Sequence, residues 1–598
     1  MKKLLYILLG IVLLTSCKKY LDQVPDDRLT IEETFRTWAT AQKFLNNVYL
    51  RIPDEFGQRN PGDYNNRGLW TGGCDEADYV WGFVQSNNVN IGSWDAKSGF
   101  VGDYWTNFYR GIRAASVFID NADKITDLSP DLITQYKAEA RALRAMYYFY
   151  LMRIYGPVVL MGEKPVEVDA SLQMPRNSFD ECVAYVISEL ETAAANLPVI
   201  PNNDQDYGRI SKGIALAFRA NALMYSASPL FNGNTDMAAL KNTDGKQLIS
   251  QSYDANKWKL AADAYKSFLD QFVPATYSLF RKNNTKGEFD PYLSCRDVFL
   301  TDWNPEVIFA RPANSLNSRQ YEMTPFHSGA PSSDVRGSGG LGATQNMVDA
   351  FFTKNGRSID DPLSQYVKTG YSDFTGPNET APGNIYNQWV NREPRFYVNI
   401  TYDGSTWLNK SFGNIVTRIY NHGNSGKATG NNDYSPTGYI VRKAQGLGKW
   451  DVGGRTLMLI RLAEIYLSYA ECVNEANPAS PEALKYVNLI RERAGIPQYG
   501  SAELPAPAGQ AAIREVIRKE RRVELAFENN RFFDVRRWKI AEQTENGPIY
   551  GLNIGSDMPD FLQVVPFETR VFERKHYLFP LPADDVDNDK QLVQNPGW

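Results

Sequence analysis

Histidine is scarce in this chain: His327, His422 and His576 are the only three in 598 residues. They stand far apart, which argues against a histidine-rich metal site or a histidine-centred triad. Cysteine is scarce too, at five. Cys74, Cys182, Cys295 and Cys472 follow Cys17 with no CxxC spacing and no clustering, so no thiolate metal site is spelled out. Cys182 and Cys472 fall in apolar helical stretches and read as buried free thiols; a bridge between Cys74 and Cys295 is left open. The P-loop, HExxH and GxSxG patterns are absent. Long basic runs are absent as well. With a net charge of −5, the chain lacks the clustered Lys and Arg that phosphate contact requires, so nucleic acid is not an expected partner. After the N-terminal segment, no apolar run reaches the roughly 18 residues of a membrane span. No metal and no organic cofactor are therefore expected. What remains, 43% apolar and 22% charged residues, is the composition of an ordered globular protein.

The first 17 residues set the compartment. Lys2 and Lys3 precede an apolar run over 4–14 that is too short for the about 20 residues of a spanning helix. Leu14-Thr15-Ser16-Cys17 then resembles a bacterial lipobox, with small residues before a cysteine that becomes the acylated N-terminus. Residues 1–16 read as a signal peptide and Cys17 as the lipidation site. The competing reading is an ordinary secretory signal containing a cysteine. The lipid would supply the membrane attachment.

Helical periodicity comes in blocks. Residues 131–155 carry Ile133, Tyr136, Ala140, Leu143, Tyr147 and Tyr150 at steps of three and four, and Gly156-Pro157 stops them. Ser178 to Glu181 has capping-box spacing and opens a helix to about residue 196. Ser211 can cap a helix through 226. Further helices are expected over 104–121, 256–272, 456–476, 481–494 and 510–529. Several blocks share a small residue followed by apolar residues four and seven or eight positions on, as in Cys182/Val186/Leu190 and Ala483/Val487/Ile490. That resembles the second helix of a tetratricopeptide repeat, but without constant period. The fold class expected is mainly α: a degenerate helix-pair scaffold with long irregular loops and a few short strands, at about 307–310, 395–402 and 438–443. The long stretches 51–102, 277–341 and 369–456 are rich in Gly, Asn, Asp, Ser, Pro and aromatics, and long loops in an ordered chain are usually functional.

Most short motifs yield to simpler readings. Gly337 to Gly342 matches GxGxxG, but a loop rather than a strand precedes it, so a dinucleotide site is not supported. Asn202 to Asp206 lacks the later ligands of a calcium loop. Asp75-Glu76 and Asp360-Asp361 could suggest glycosidase carboxylates, yet adjacency does not place two carboxyls across a sugar. The charged stretch 514–537 reads as a solvated, ion-paired helix face. Tryptophan is the informative residue. Trp70, Trp81, Trp94 and Trp105 are four of the twelve, within residues 70–105. Asn65, Asn66, Asp75, Asp78, Asn87, Asn88 and Asn90 surround them. Flat aromatic faces beside short amides and carboxylates suit sugar rings, whose C–H faces stack while hydroxyls take hydrogen bonds. Trp105 reads as core. Trp70, Trp81 and Trp94 can be ligand platforms or core plugs, and Trp94 is the first choice as platform, because Gly92-Ser93 and Asp95 make its local chain polar. Asp75 and Asn90 are candidate polar contacts; Trp303 and Tyr321, in the second long loop, are further candidates.

Longer segments resemble one family. They are AEARALRAMYYFYLMRIYGPVVL from Ala138, PRNSFDECVAYVISEL from Pro175 and GRISKGIALAFRANALMYSASPLFN from Gly208, then NPEVIFARP from Asn304, LIRLAEIYLSYAECVNEAN from Leu459, RRVELAFENNRFFDVRRW from Arg521 and the terminal QNPGW. Together they are similar to the SusD/RagB outer-membrane nutrient-binding lipoproteins of Bacteroidetes-type bacteria, over nearly the whole mature chain. The resemblance implies a tetratricopeptide-like scaffold in two regions, 17–330 and 331–598, with the ligand loops between helices. It implies a lipid-tethered, non-enzymatic protein of the outer membrane, facing the exterior, that binds oligosaccharide and passes it to a SusC-like TonB-dependent barrel transporter. Peptide is the alternative ligand, and a surface glycoside hydrolase the more distant alternative. One departure is Asn529-Asn530, where a glycine after the Glu is expected.

Overall fold

Helices form where the apolar spacing and the caps agree. In the computed structural model, residues 29–598 are described apart from 58, 60–68, 167–169, 171–172, 202–203, 313 and 453. The signal segment, Cys17, Asn65 and Asn66 lie outside the described residues. The main helices are α1 (Trp38–Tyr49), α2 (Gly99–Asn121), α3 (Pro130–Tyr155), α4 (Phe179–Ala194), α5 (Lys212–Ala227), α6 (Asn256–Phe272), α7 (Leu316–Met323), α8 (Leu462–Ala476), α9 (Glu482–Arg493), α10 (Gly509–Glu524) and α11 (Asn530–Arg537). Ser129 caps α3 with Pro130 in its first turn, and Gly156 ends it at φ 77°. Ser178 and Glu181 close a reciprocal capping box on α4. Each long helix packs on the next from α1 to α6; α6 then meets α8, and α8 meets both α9 and α10. The chain is thus mainly helical and built from helix pairs, as the periodicity implies.

The strands are short and paired in twos. β1 (Ala77–Tyr79) runs antiparallel to β3 (Leu341–Ala343), and β2 (Val307–Arg311) to β4 (Leu457–Arg461). β4 corrects the expected helix over 456–476. Leu457 to Ile460 satisfy either period, and the waiting edge of β2 decides for strand. The expected strand over 395–402 is mostly the helix Pro394–Asn399, with strand only at Ile400–Thr401, because Pro394 starts a helical turn. α10 stops at Glu524 rather than near 529, since Phe527 and Asn529 take φ 61° and 70°. Asn529 holds the left-handed turn that a glycine was expected to hold.

Two apolar clusters make the interior. The larger joins the helix pairs to residues near the C-terminus, including Phe532, Phe579 and Leu592. The smaller gathers β1, β3 and the loops around Met347, Trp389, Tyr402 and Ile440. Cys74, Cys182, Cys295 and Cys472 are all buried free thiols. Among the described residues, no helix is long and apolar enough to cross a membrane.

Candidate functional site

β1 and β3 position the first aromatic residue. The chain leaves β1 and places Trp81 against the backbone of Gly340, just before β3. A Cβ on Gly340 would lie 2.3 Å from the Trp81 ring, so only glycine lets the indole settle there. The glycine run at 337–342 therefore serves close packing. Trp81 donates its Nε1–H to Asp433 Oδ1 at 3.2 Å, and Tyr321, on α7, directs its hydroxyl at Oδ2 of the same carboxylate at 3.4 Å. Trp450 meets Tyr321 edge-on at 4.9 Å between ring centres and donates to Ser333 O at 3.2 Å. Phe83 lies nearly parallel to Trp81, 6.1 Å away, and is 52% exposed. Arg59 covers the cluster: its guanidinium carbon lies 4.7 Å from the Trp81 ring centre and 4.8 Å from that of Tyr321. Burial, with Asp433 beside it, pushes the Tyr321 phenol up, while Arg59 opposes the rise. Tyr321, Asp433 and Trp450 are half-buried. The result is a rim of aromatic surfaces around one carboxylate and one guanidinium. That arrangement can stack on an apolar sugar face and hydrogen-bond its hydroxyls.

Four sequence candidates are interior residues instead. Trp70 is packed against Phe532 and Phe533, each 4.8 Å away, and Tyr104 at 5.2 Å. Trp94, the first choice, lies 4.5 Å from Trp598, 4.7 Å from Phe579 and 5.4 Å from His576. Its polar sequence neighbours say nothing of the C-terminal chain that returns to cover it. Asp75 takes both oxygens to Arg531, at 2.8 and 2.9 Å, and one to Arg522 at 2.7 Å. Burial opposes its ionisation, but Arg522 and Arg531 hold the carboxyl well below the usual range. Asn90 is buried; its side-chain amide donates to Gly72 O at 3.0 Å, and its backbone carbonyl accepts from Val571 N at 2.8 Å. Trp303 stands apart from the rim, paired with Tyr207 at 5.0 Å and held at φ 51°.

The structure thus brings Trp81 and Tyr321 together and adds Arg59, Phe83, Asp433 and Trp450. The first two additions come from the loop that carries Trp81. The other two come from the third long loop, whose composition marks it as functional but whose register with the first loop cannot be read from sequence. A cavity of about 670 Å³ lies elsewhere, along α2 between Trp105, Tyr109, Val159 and Met174, with Arg110, Arg113, Lys164 and Asp589 also in its lining.

The charged stretch 514–537 is ion-paired, but it is solvated only at its start, where Glu515 and Lys519 are exposed; Glu520, Arg521, Glu524, Arg531, Asp534, Arg536 and Arg537 are buried. Glu524 accepts from Arg461 at 2.7 Å and Arg395 at 2.9 Å, and pairs with Arg493. Glu306 joins Arg461 at 2.7 Å and Arg493 at 3.1 Å. Arg521 reaches Asp534 at 2.6 Å. These side chains are buried, so their role is to join α8, α9, α10 and β4.

Comparison with known proteins places this architecture. A family model described as "SusD family" matches residues 305–598, and one described as "Starch-binding associating with outer membrane" matches residues 19–223. SusD-like protein P2 of Formosa agariphila is 24% identical over 614 residues, spanning 100% of this chain and 99% of that protein. Among solved structures, BT4246 gives a TM-score of 0.79 at 24% identity, covering 94% of this chain and 100% of that one. A SusD-like carbohydrate-binding protein from Bacteroides fragilis gives 0.68 at 21% identity, covering 94% and 100%.

Proposed function

The chain belongs to the SusD/RagB family, and from that premise we propose that it captures oligosaccharide through the rim formed by Trp81, Phe83, Tyr321, Asp433 and Trp450. The observation that carries this reading is the aromatic cluster itself: three loops distant in sequence converge on one carboxylate, with Trp81 buried at its base and ring surface of Phe83, Tyr321 and Trp450 left open. The carbohydrate-binding description of the Bacteroides fragilis relative supports a glycan as the ligand. The outer-membrane wording of the N-terminal family model supports the location. In this reading Cys17 carries the lipid, the protein faces outward, and the captured glycan passes to a SusC-like TonB-dependent barrel transporter. Trp303, with Tyr207, is a second and separate contact. Binding without hydrolysis fits the site, because Asp433 is the one carboxylate of the cluster among the described residues, and hydrolysis uses two carboxyls about 5–10 Å apart.

Calorimetry with a panel of oligosaccharides tests the proposal, with Trp450→Ala as the variant. A rim aromatic that anchors ligand contributes on the order of 2 kcal/mol, roughly thirtyfold in affinity. Loss of glycan binding in Trp450→Ala with an unchanged melting temperature is expected. Binding of peptides but not glycans, or equal affinity in the variant, would sink it.

A further inference from the structure

Arg59 differs from the arginines of the interior. Arg461, for example, directs its N–H groups at Glu306, Glu524 and Glu528. Arg59 is half-buried on the rim, and its recorded contacts are the faces of Trp81 and Tyr321. Stacking engages the flat faces of a guanidinium. Its N–H donors radiate in the plane between those faces and stay available. Among the described residues, no carboxylate forms an ion pair with Arg59. Asp433 is the near candidate, but its oxygens take the Trp81 indole N–H and the Tyr321 hydroxyl. The two rings therefore hold a cation in a fixed orientation, partly desolvated, with its hydrogen-bonding edge unmatched among the described residues.

The chemistry that matches such an edge is a planar or tetrahedral oxyanion, which a guanidinium binds through paired N–H donors. Resting on the glycan reading above, we propose that Arg59 sets the specificity of the rim, and that the ligand is an acidic saccharide whose carboxylate or sulfate group is received by the Arg59 guanidinium. Neighbouring sugar rings would lie on Phe83 and Trp450. Asp433, already turned toward two donors, then serves to fix Trp81 and Tyr321 rather than to meet the anion.

Matched probes test this with the full chain. One pair is oligogalacturonate and its fully methyl-esterified form; the other is sulfated carrageenan oligosaccharides and neutral agarose oligosaccharides. The first pair isolates a carboxylate, the second a sulfate. At least one acidic member is expected to bind about tenfold or more tightly than its neutral counterpart, with affinity falling as salt rises. Arg59→Gln should remove that preference and leave the melting temperature unchanged, while Arg59→Lys should keep part of it. Equal binding within both pairs, binding of neutral members alone, no binding of any acidic member, or an unchanged preference in Arg59→Gln overturns the inference. Tighter neutral binding in Arg59→Gln overturns it too, since Arg59 would then be blocking the rings. Neutral binding that Trp450→Ala abolishes would leave the glycan reading standing while the charge preference falls.

Discussion

Trp94 and Trp81 come from one loop, share a polar neighbourhood in sequence and are both buried, at 7% and 8% exposure, yet their partners differ in kind. Trp94 is enclosed on several sides by Phe100, His576, Phe579 and Trp598. Trp81 rests one face on Gly340 and has the Arg59 side chain over its ring. Charge divides the same way. Arg395, Arg461 and Arg493 meet carboxylates, whereas among the described residues Arg59 meets the two rings and no carboxylate. Local polarity does not separate the two settings. What separates them is which distant segment returns: the aromatic C-terminal residues for Trp94, and Gly340 with the Asp433 carboxylate for Trp81.

The comparison breaks first in the interior charges. Burial opposes ionisation of Glu524, but Arg493, Arg461 and Arg395 hold its carboxyl well below the usual range. Glu524→Ala leaves those cations unmatched and should cost about 3–5 kcal/mol or more. Denaturant unfolding checks this, and a loss below about 1 kcal/mol would mean that the network is far more hydrated than its packing indicates.

Trp94→Ala should cost about 3–5 kcal/mol of stability, as removal of a core aromatic does. Glycan affinity per folded molecule should not change. A melting temperature like the parent's, with lost binding, would return Trp94 to the site and reverse the contrast with Trp81.

Gly340→Ala sharpens the rim side. Its new Cβ would meet the Trp81 ring at 2.3 Å, so the indole must shift, at about 1–3 kcal/mol. Affinity should fall together with stability. Indole fluorescence and a binding titration report both, and an unperturbed Trp81 with full affinity would show that Gly340 does not seat it.

A further expected effect is a pH dependence inside the molecule. Burial pushes the Glu76 carboxyl up to about 8 from 4.5, against a hydrogen bond from Phe527 N. A raised carboxyl holds its proton more tightly folded than unfolded. Its contribution is therefore full below 4.5 and is lost as pH climbs through about 8. Glu76→Gln, which cannot ionise, should match the parent near pH 4.5 and exceed it in melting temperature above pH 8. Parallel melting curves for the two across that range would show Glu76 ionised throughout.

Much of the scaffold was legible before the structure. Ser178 and Ser211 cap helices where their spacing places them, because a cap is a contact between residues three apart. The apolar steps of 131–155 become the buried face of α3 for the same local reason. The proposed site was legible only in part. Trp81 and Tyr321 were among the candidates, but so were Trp70, Asp75, Asn90 and Trp94, which the fold uses inside.

The sequence alone determined the helix pairs, the glycine and asparagine turns, and the presence of aromatic, amide-rich loops. Each depends on residues a few positions apart. Tertiary structure decided which apolar run became β4, which arginines were buried, and which tryptophans reached the rim. Those outcomes depend on partners far along the chain: β2 for β4, Glu524 for Arg461, Trp598 for Trp94, and Asp433 for Trp81 and Tyr321. Pairings at that distance are fixed by packing and desolvation over the whole molecule, and local spacing carries no record of them.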